Sequence, residues 1–490
     1  MATRRNMLKL VGFGGGAVFA GTAPGLSALA APLPVRKEIN SLKLNDPTVV
    51  ALRDGVRILK ARTAGQGPTW TDMANIHGTD QGFNKCPHGN WYFLPWHRGY
   101  VTMYERMIRS VTGYLGFAMP YWDWTANRKV PQAFSEPTYN GQTNSLYEPS
   151  RNNGVVLTDD IVGQGVMDRI YNETNYELFG TSRPRGQNNL NPSWITTRTG
   201  TQGVLESTPH NLVHVRLGGW MPTTRSPMDP IFQMHHGNID RIWWRWNGLG
   251  RQNTQDNLWQ NMVFQNNYLA PNGSWWSTTP NQVQQVTALG YTYGATPSRL
   301  GLAEASQISD KRVTQIFARG SATAASDLGV RSLAARKRST DNGAQFLASA
   351  QAGGDRQALL GATKSQPAST PQALLGSRVL ALISGLTPSS DNVEVKVYID
   401  GPGSGGGSRE GDPGYVTTIG FFGSEGHAGH GGGGEGISAS SDLTPSLKAL
   451  TAAGVTVGDD IRVRLIAVDS KSGAAAPETV ANAKVEIVIV

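Results

Sequence analysis

The apolar positions of this chain change period along its length, and the change divides it. In "PTVVALRDGVRILKAR" (Pro47 to Arg62) and "WHRGYVTMYERMIRSV" (Trp96 to Val111) apolar residues recur near every 3.6 positions, which predicts amphipathic helices. Long polar connections such as "TANRKVPQAFSEPTYNGQTN" separate such segments, so residues 31–298 read as one mainly α domain with extended loops. From about residue 378 the period becomes two. "NVEVKVYID", "YVTTIGFF", "DDIRVRLIAVD" and "AKVEIVIV" alternate, favour β-branched residues and are broken by Gly, Pro and Asp. Residues 377–490 are therefore predicted to form an all-β sandwich. Residues 299–376 follow neither period. They are rich in Ala, Ser, Gly and Arg, and from Ala318 to Thr370 the only aromatic residue is Phe346, so the segment reads as a linker.

Composition and charge narrow the function classes. Residues 1–30 combine a basic start, a glycine-rich apolar middle and the small-residue site Ala28-Leu29-Ala30, the layout of a cleavable export signal. Arg4-Arg5 ahead of Asn6-Met7-Leu8-Lys9 resembles the twin-arginine type, a route for folded proteins, so a periplasmic or secreted location is expected. No apolar run reaches the ~18 residues that a membrane span needs, so membrane insertion is not expected. The formal charge of +8 falls to +5 once Arg4, Arg5 and Lys9 are set aside, and no dense basic run remains. A nucleic-acid partner is not expected. The single cysteine, Cys86, excludes an internal disulfide.

The chemistry lies in the histidines. Seven of the nine fall before residue 240, in two clusters: His77, His88 and His97, then His210, His214, His235 and His236. His210 and His214 in "PHNLVH" are four apart and share a helix face, and Pro209 suits the first turn of that helix. His88 and His97 are nine apart and would face opposite ways on one helix. With Gly89 and Pro95 between them, His88 belongs on a loop and His97 in the first turn of a helix that Pro95 opens. In "DPIFQMHHGNIDRIWW", His236 shares a face with Phe232 and Asp240, whereas His235 lies about 100° round. His236 is the chosen ligand, with His235 as the alternative. Two groups of three neutral imidazoles, with no carboxylate in an evident bridging position, favour a pair of copper ions over di-iron or two-zinc chemistry.

"CPHGNWYFLPWHRGYVTMYE", "MPYWDW", "LESTPHNLVHVRLGG" and "DPIFQMHHGNIDRIW" together resemble the type 3 copper proteins: tyrosinases, catechol oxidases and molluscan haemocyanins. The resemblance covers roughly residues 35–295. It implies a four-helix bundle around a dinuclear copper site, with His77, His88 and His97 on one copper and His210, His214 and His236 on the other. Dioxygen would be the co-substrate and phenolic small molecules the partners, with a homo-oligomer left open. Tyr291 and Tyr293 in "GYTYG" look like the Tyr-x-Tyr element that closes this domain in plant enzymes, with Arg36 as its candidate partner. Cys86-Pro87-His88 matches the spacing at which relatives form a thioether between sulfur and imidazole.

The same resemblance assigns further roles. Glu206 and Asn211 in "LESTPHN" match an acid and an amide that hold a water and help deprotonate a phenol. Phe232 is placed to pack over the coppers. Asp240 is expected either to orient a ligand imidazole or to pair with Arg241 or Arg245. "GGWMPTTRSPMDP" should form a loop over the entrance, with Thr223 near the position of a gate residue. The β-rich end resembles the lid domain of plant polyphenol oxidases and some long bacterial tyrosinases. Phe421 or Phe422 is the candidate plug of the copper site, and His427 and His430 are candidates for copper delivery. The expected function is ortho-hydroxylation of monophenols and oxidation of o-diphenols to o-quinones, latent under the lid. A catechol oxidase acting on o-diphenols alone and a haemocyanin-like oxygen carrier are the alternatives.

Overall fold

Asp46 starts the first long helix by accepting the Thr48 backbone N–H, with Pro47 at the first helical position, where no donor is needed. This helix, α1 (Pro47–Ala61), buries Val49, Leu52, Val56 and Leu59 at helical spacing. α2 (Trp70–His77) opens with a reciprocal Thr69–Asp72 capping box. α3 (Phe93–Thr112) begins three residues earlier than its periodicity predicts and ends at Gly113, whose φ of +70° closes the helix in a left-handed cap. α4 (Asn211–Leu217) is short, and α5 (Ile231–Gly248) spans 18 residues. α1 and α5 both pack on α3, and their apolar faces join residues from the connecting segments in one large core that holds eight fully buried tryptophans.

The computed structural model describes residues 32–63, 65–294, 304–350, 378–400, 412–423, 436–455 and 460–490. The predicted export signal and the pair His427 and His430 lie outside these residues. Among the described residues no helix is long and apolar enough to cross a membrane.

The predicted linker is shorter than its composition suggests. It contains a helix, α6 (Glu304–Arg319), and two strands that follow β1 (Thr201–Gln202), namely β2 (Arg331–Thr340) and β3 (Gly343–Ser349). β2 reads "RSLAARKRST" and buries only Leu333, because most of its side chains face solvent. Its polar composition hid a strand whose backbone is paired along its whole length.

The other strands of the same sheet are β4 (Val379–Leu386), β5 (Val393–Asp400), β6 (Tyr415–Gly420), β7 (Ile437–Asp442), β8 (Asp460–Asp469) and β9 (Lys484–Ile489). They form one nine-stranded sheet in the order β6-β5-β8-β3-β2-β9-β4-β7-β1. β2 belongs to both halves: Arg331–Ala334 pair with β9 and Ala335–Thr340 pair with β3. Side chains from both halves meet in a single core that includes Phe346, Ile383, Val395, Ile419 and Leu465. The predicted β-rich region thus begins at residue 331, not 377, and is joined at its edge to the helical region. That joint is the parallel pairing of β7 with β1, Ser438 opposite Thr201 and Ala439 opposite Gln202. Residues 34–490 accordingly form one unit.

Candidate metal centre

Four helices and one loop bring the histidines together. His77 is the last residue of α2, His97 lies in the first turns of α3, His214 is on α4 and His236 on α5. His88 is on the loop before α3, as its spacing from His97 predicts. His210 caps α4. Thr208, pushed to an extended conformation (φ −154°, ψ 114°) by the proline that follows it, interrupts the helical turn just upstream. His77, Cys86, His88 and His97 form one buried cluster, and His210, His214, His235 and His236 form the other.

Hydrogen bonds set which nitrogen faces inward in four of the six rings. His77 Nδ1 donates to the Thr224 carbonyl (2.7 Å), His97 Nδ1 to the Phe93 carbonyl (2.8 Å) and His214 Nδ1 to the Met221 carbonyl (2.7 Å). His210 Nδ1 donates to Asn211 Oδ1 (2.8 Å). A neutral imidazole that donates from Nδ1 carries its lone pair on Nε2. The Nε2 atoms converge: His77 Nε2 is 3.4 Å from His88 Nε2, and His236 Nε2 is 3.3 Å from His210 Nε2 and 3.2 Å from His214 Nε2. Burial pushes His77 and His210 down to about 3, and the other four well below the usual range, so all six rings are neutral at physiological pH. Neutral lone pairs aimed at one another repel unless a cation lies among them, so each group of three suits a metal ion.

The choice between His235 and His236 follows from the same logic. The Trp124 indole N–H can only donate, and it donates to His235 Nδ1 (3.2 Å). The proton of His235 is therefore on Nε2, which is not free to bind a metal in that form. His236 keeps its Nε2 among the other rings.

A family model for the common central domain of tyrosinase matches residues 68–197 and 158–249, which carry every histidine of both clusters. The tyrosinase of Streptomyces glaucescens is 30% identical over 210 residues, a match spanning 75% of its length. This chain belongs to the tyrosinase family. Tyrosinase HcTyr1 of Hahella sp. (strain CCB-MM4) is 26% identical over 481 residues, covering 87% of this chain and 94% of that protein. Against polyphenol oxidase E of Solanum lycopersicum the identity is 30%, but the match spans only 34% of that longer protein. Two solved structures share the fold across 94% of this chain: a latent aurone synthase at 18% identity with a TM-score of 0.62, and a latent apple tyrosinase at 19% with 0.60.

In this tyrosinase-family chain Phe232, Glu206 and Phe422 lie against the histidines, whereas Asp240 is engaged elsewhere. Phe232 stacks on His236, with ring centres 4.1 Å apart, and meets His77 edge-on. Glu206 is no solvated helix-entrance charge. It is fully buried, accepts the Gly89 backbone N–H (2.8 Å) and the Thr181 hydroxyl, and lies 3.4 Å from His88 Nδ1. Burial pushes its carboxyl up to about 7. Asn211 donates to the Gly420 carbonyl (2.9 Å) and to Gln202, so it shares no hydrogen bond with Glu206.

Asp240 touches neither a ligand imidazole nor Arg241 or Arg245. It accepts hydrogen bonds from Arg36 (3.0 Å), Arg98, Tyr291 (2.6 Å) and Tyr293 (2.6 Å) in a buried network. The Arg36 guanidinium also lies 3.5 Å over the Tyr291 ring, so Arg36 does partner the Tyr-x-Tyr element. Asp240 and His236 share a helix face, but the tyrosines and arginines that claim Asp240 come from distant parts of the chain. Thr223 is exposed, with its hydroxyl on the Trp220 carbonyl (2.9 Å), in the loop whose Thr224 carbonyl accepts from His77.

The two plug candidates separate cleanly. Phe421 belongs to the core of the β-sheet. Phe422 points the other way, as alternation along an extended strand end requires. Its ring centre is 4.1 Å from that of His214, 4.9 Å from His88 and 5.7 Å from His210. It therefore sits among rings of both clusters. Sequence reasoning missed the carbonyls of Met221, Thr224 and Phe93 that orient the histidines, because a backbone acceptor leaves no mark on residue type. The glycine at 89 was the one available signal: φ is +58° there, and its N–H is the donor to Glu206.

Proposed function

We propose that this protein is a dicopper oxidase that uses dioxygen to hydroxylate monophenols ortho to the ring oxygen and to oxidise o-diphenols to o-quinones. The carrying observation is the pair of buried, neutral imidazole triads whose Nε2 atoms converge. His77, His88 and His97 would hold one copper and His210, His214 and His236 the other, within a four-helix bundle of α2, α3, α4 and α5. When bound, the copper pair supplies the two-electron chemistry with dioxygen.

The chain's own residues do the rest. The carbonyls of Thr224, Phe93 and Met221 hold three imidazoles in register, and Phe232 packs against the rings to keep water out. Glu206 is the carboxylate beside the cluster and serves as the base for the phenol proton, with Asn211 holding the His210 ring beside it. Phe422 occupies the place of a substrate ring, which makes the intact chain latent. Loading with copper should give two ions per chain and oxygen uptake on both tyrosine and dopa once Phe422 is displaced. Uptake on dopa alone would reduce the reading to a catechol oxidase, and reversible oxygen binding without turnover would overturn it.

Cys86 is proposed to form a thioether to a carbon of His88. Its Sγ is buried within the first cluster, 3.3 Å from His97 Nε2, and burial pushes the thiol up, so it has little thiolate character of its own. The crosslink forms an S–C bond at the expense of the thiol S–H and an imidazole C–H, with dioxygen as the two-electron oxidant. Intact mass of the copper-loaded protein should be two hydrogens below that of the free-thiol chain; an unchanged mass rules the crosslink out.

A further inference from the structure

Phe83 carries a contact that oxidation at the coppers does not require. Its ring packs against His77, His88 and Phe422, with centres 5.4, 4.9 and 5.6 Å away. The Arg198 guanidinium lies over the same ring, 3.8 Å from its centre. Arg198 thus stands one ring beyond the place that Phe422 fills. The loop that carries it is built onto the loop that carries His88. Asn90 Nδ2 donates to the carbonyls of Trp194 (2.7 Å) and Thr197 (2.7 Å), and the Gly200 N–H donates to the Gly89 carbonyl (2.9 Å). A Cβ at Gly89 would stand 3.4 Å from the Arg198 carbonyl, so the two loops are in close contact there.

Burial lowers Arg198 to about 10, which leaves it cationic at neutral pH. Among the described residues no carboxylate is within ion-pairing distance of it. Glu206, whose charge reaches it, is engaged by Gly89 and Thr181. A largely buried guanidinium without an anion carries a desolvation cost that an arriving carboxylate would offset. Its planar fork matches a carboxylate in two parallel hydrogen bonds.

We propose that Arg198 selects phenols whose ring side chain ends in a carboxylate, pairing with that group while the ring takes the position of Phe422. This rests on the phenol-oxidase reading and names its substrate class. Arg198 is a specificity residue at the rim of the site and takes no part in the oxidation itself.

The test uses the copper-loaded full chain carrying Phe422→Ala, with 3-(3,4-dihydroxyphenyl)propionate and 4-ethylcatechol as paired substrates. Arg198→Gln should raise KM for the acid roughly tenfold or more, as loss of a charge-assisted pair predicts. It should leave kcat unchanged and KM for the neutral catechol within about twofold, and Arg198→Lys should restore part of the loss. Equal losses on both substrates would show that Arg198 only supports Phe83, and no change on either would also overturn the proposal. A second readout needs no turnover: calorimetric binding of 3-phenylpropionate against 3-phenylpropanol. The acid should bind more tightly to the Arg198 chain and lose that preference in Arg198→Gln; no preference in the first chain refutes the assignment. If neither catechol is oxidised by any form, the enzymatic reading fails, while the binding pair still decides the role of Arg198.

Discussion

Glu206 shows how much a single carboxyl depends on its surroundings. Sequence places it four residues before His210 and nothing more; the fold buries it fully, beside His88 and under the Gly89 N–H. Glu206→Gln keeps the shape and removes the basic oxygen. Monophenol turnover should fall by about 10²-fold, the usual worth of a general base, with a smaller loss on diphenols. Oxygen uptake on tyrosine and dopa measures both, and equal losses would show that Glu206 only supports the His88 loop. The histidines were legible at this scale because metal binding demands particular residue types at particular spacings. The role of Asp240 was not, since a helix face states which residues neighbour one another and says nothing of what packs against them.

At the scale of elements, Asp240 is the knot that ties four segments. Arg36 comes from the amino-terminal strand segment, Arg98 from α3, and Tyr291 and Tyr293 from the end of the helical region; all converge on one carboxylate of α5. Burial raises the pKa of Asp240, but the Arg98 and Arg36 guanidiniums and the two phenols outweigh it and hold the group below its ordinary value. The stability it contributes is therefore fully present above about pH 4, the unfolded value, and is lost as pH falls through the lower native one. Asp240→Asn leaves two buried guanidiniums short of an anion and should cost about 3–5 kcal/mol at neutral pH, read from denaturant unfolding. It should also weaken the acid dependence of stability below about pH 4. A loss under about 1 kcal/mol would mean that Glu105, which pairs with Arg36 at 2.9 Å, carries the network alone.

Across the whole molecule, the β-sheet packs against the helical region beside the histidines. It is fastened beside the histidines by Asn211 to the Gly420 carbonyl, by the Thr208 hydroxyl to the Thr418 carbonyl, and by Arg216 to Glu394. Further away Arg378 bridges the buried Glu173 of the helical region (2.6 Å) and Asp442 of the sheet (2.9 Å). Gly420 sits where no side chain fits, since its Cβ would fall 2.6 Å from Leu212, and this close approach brings Phe422 to the rings. Phe422→Ala should raise oxygen uptake by the copper-loaded intact chain at least about tenfold, the factor expected if the competent state is otherwise a minor population. Unchanged uptake would mean that the sheet blocks the site by other contacts. The same substitution at Phe421 should instead destabilise the sheet by about 3–5 kcal/mol, because that ring fills its core.

Sequence by itself determined the helical and β-rich parts, the two histidine clusters, and the Cys86–His88 spacing. Each rests on local rules: periodicity follows from burying one face, and ligand spacing from the geometry of one turn. Tertiary structure alone decided that His236 rather than His235 presents a free lone pair, that Phe422 rather than Phe421 enters the site, and that Asp240 serves a structural knot. It also decided that residues 331–349 are strands, because their pairing partners outside their own hairpin lie more than a hundred residues further along the chain. Long-range pairing and the direction of a side chain are settled by what packs opposite, and that information is not carried by neighbouring residues.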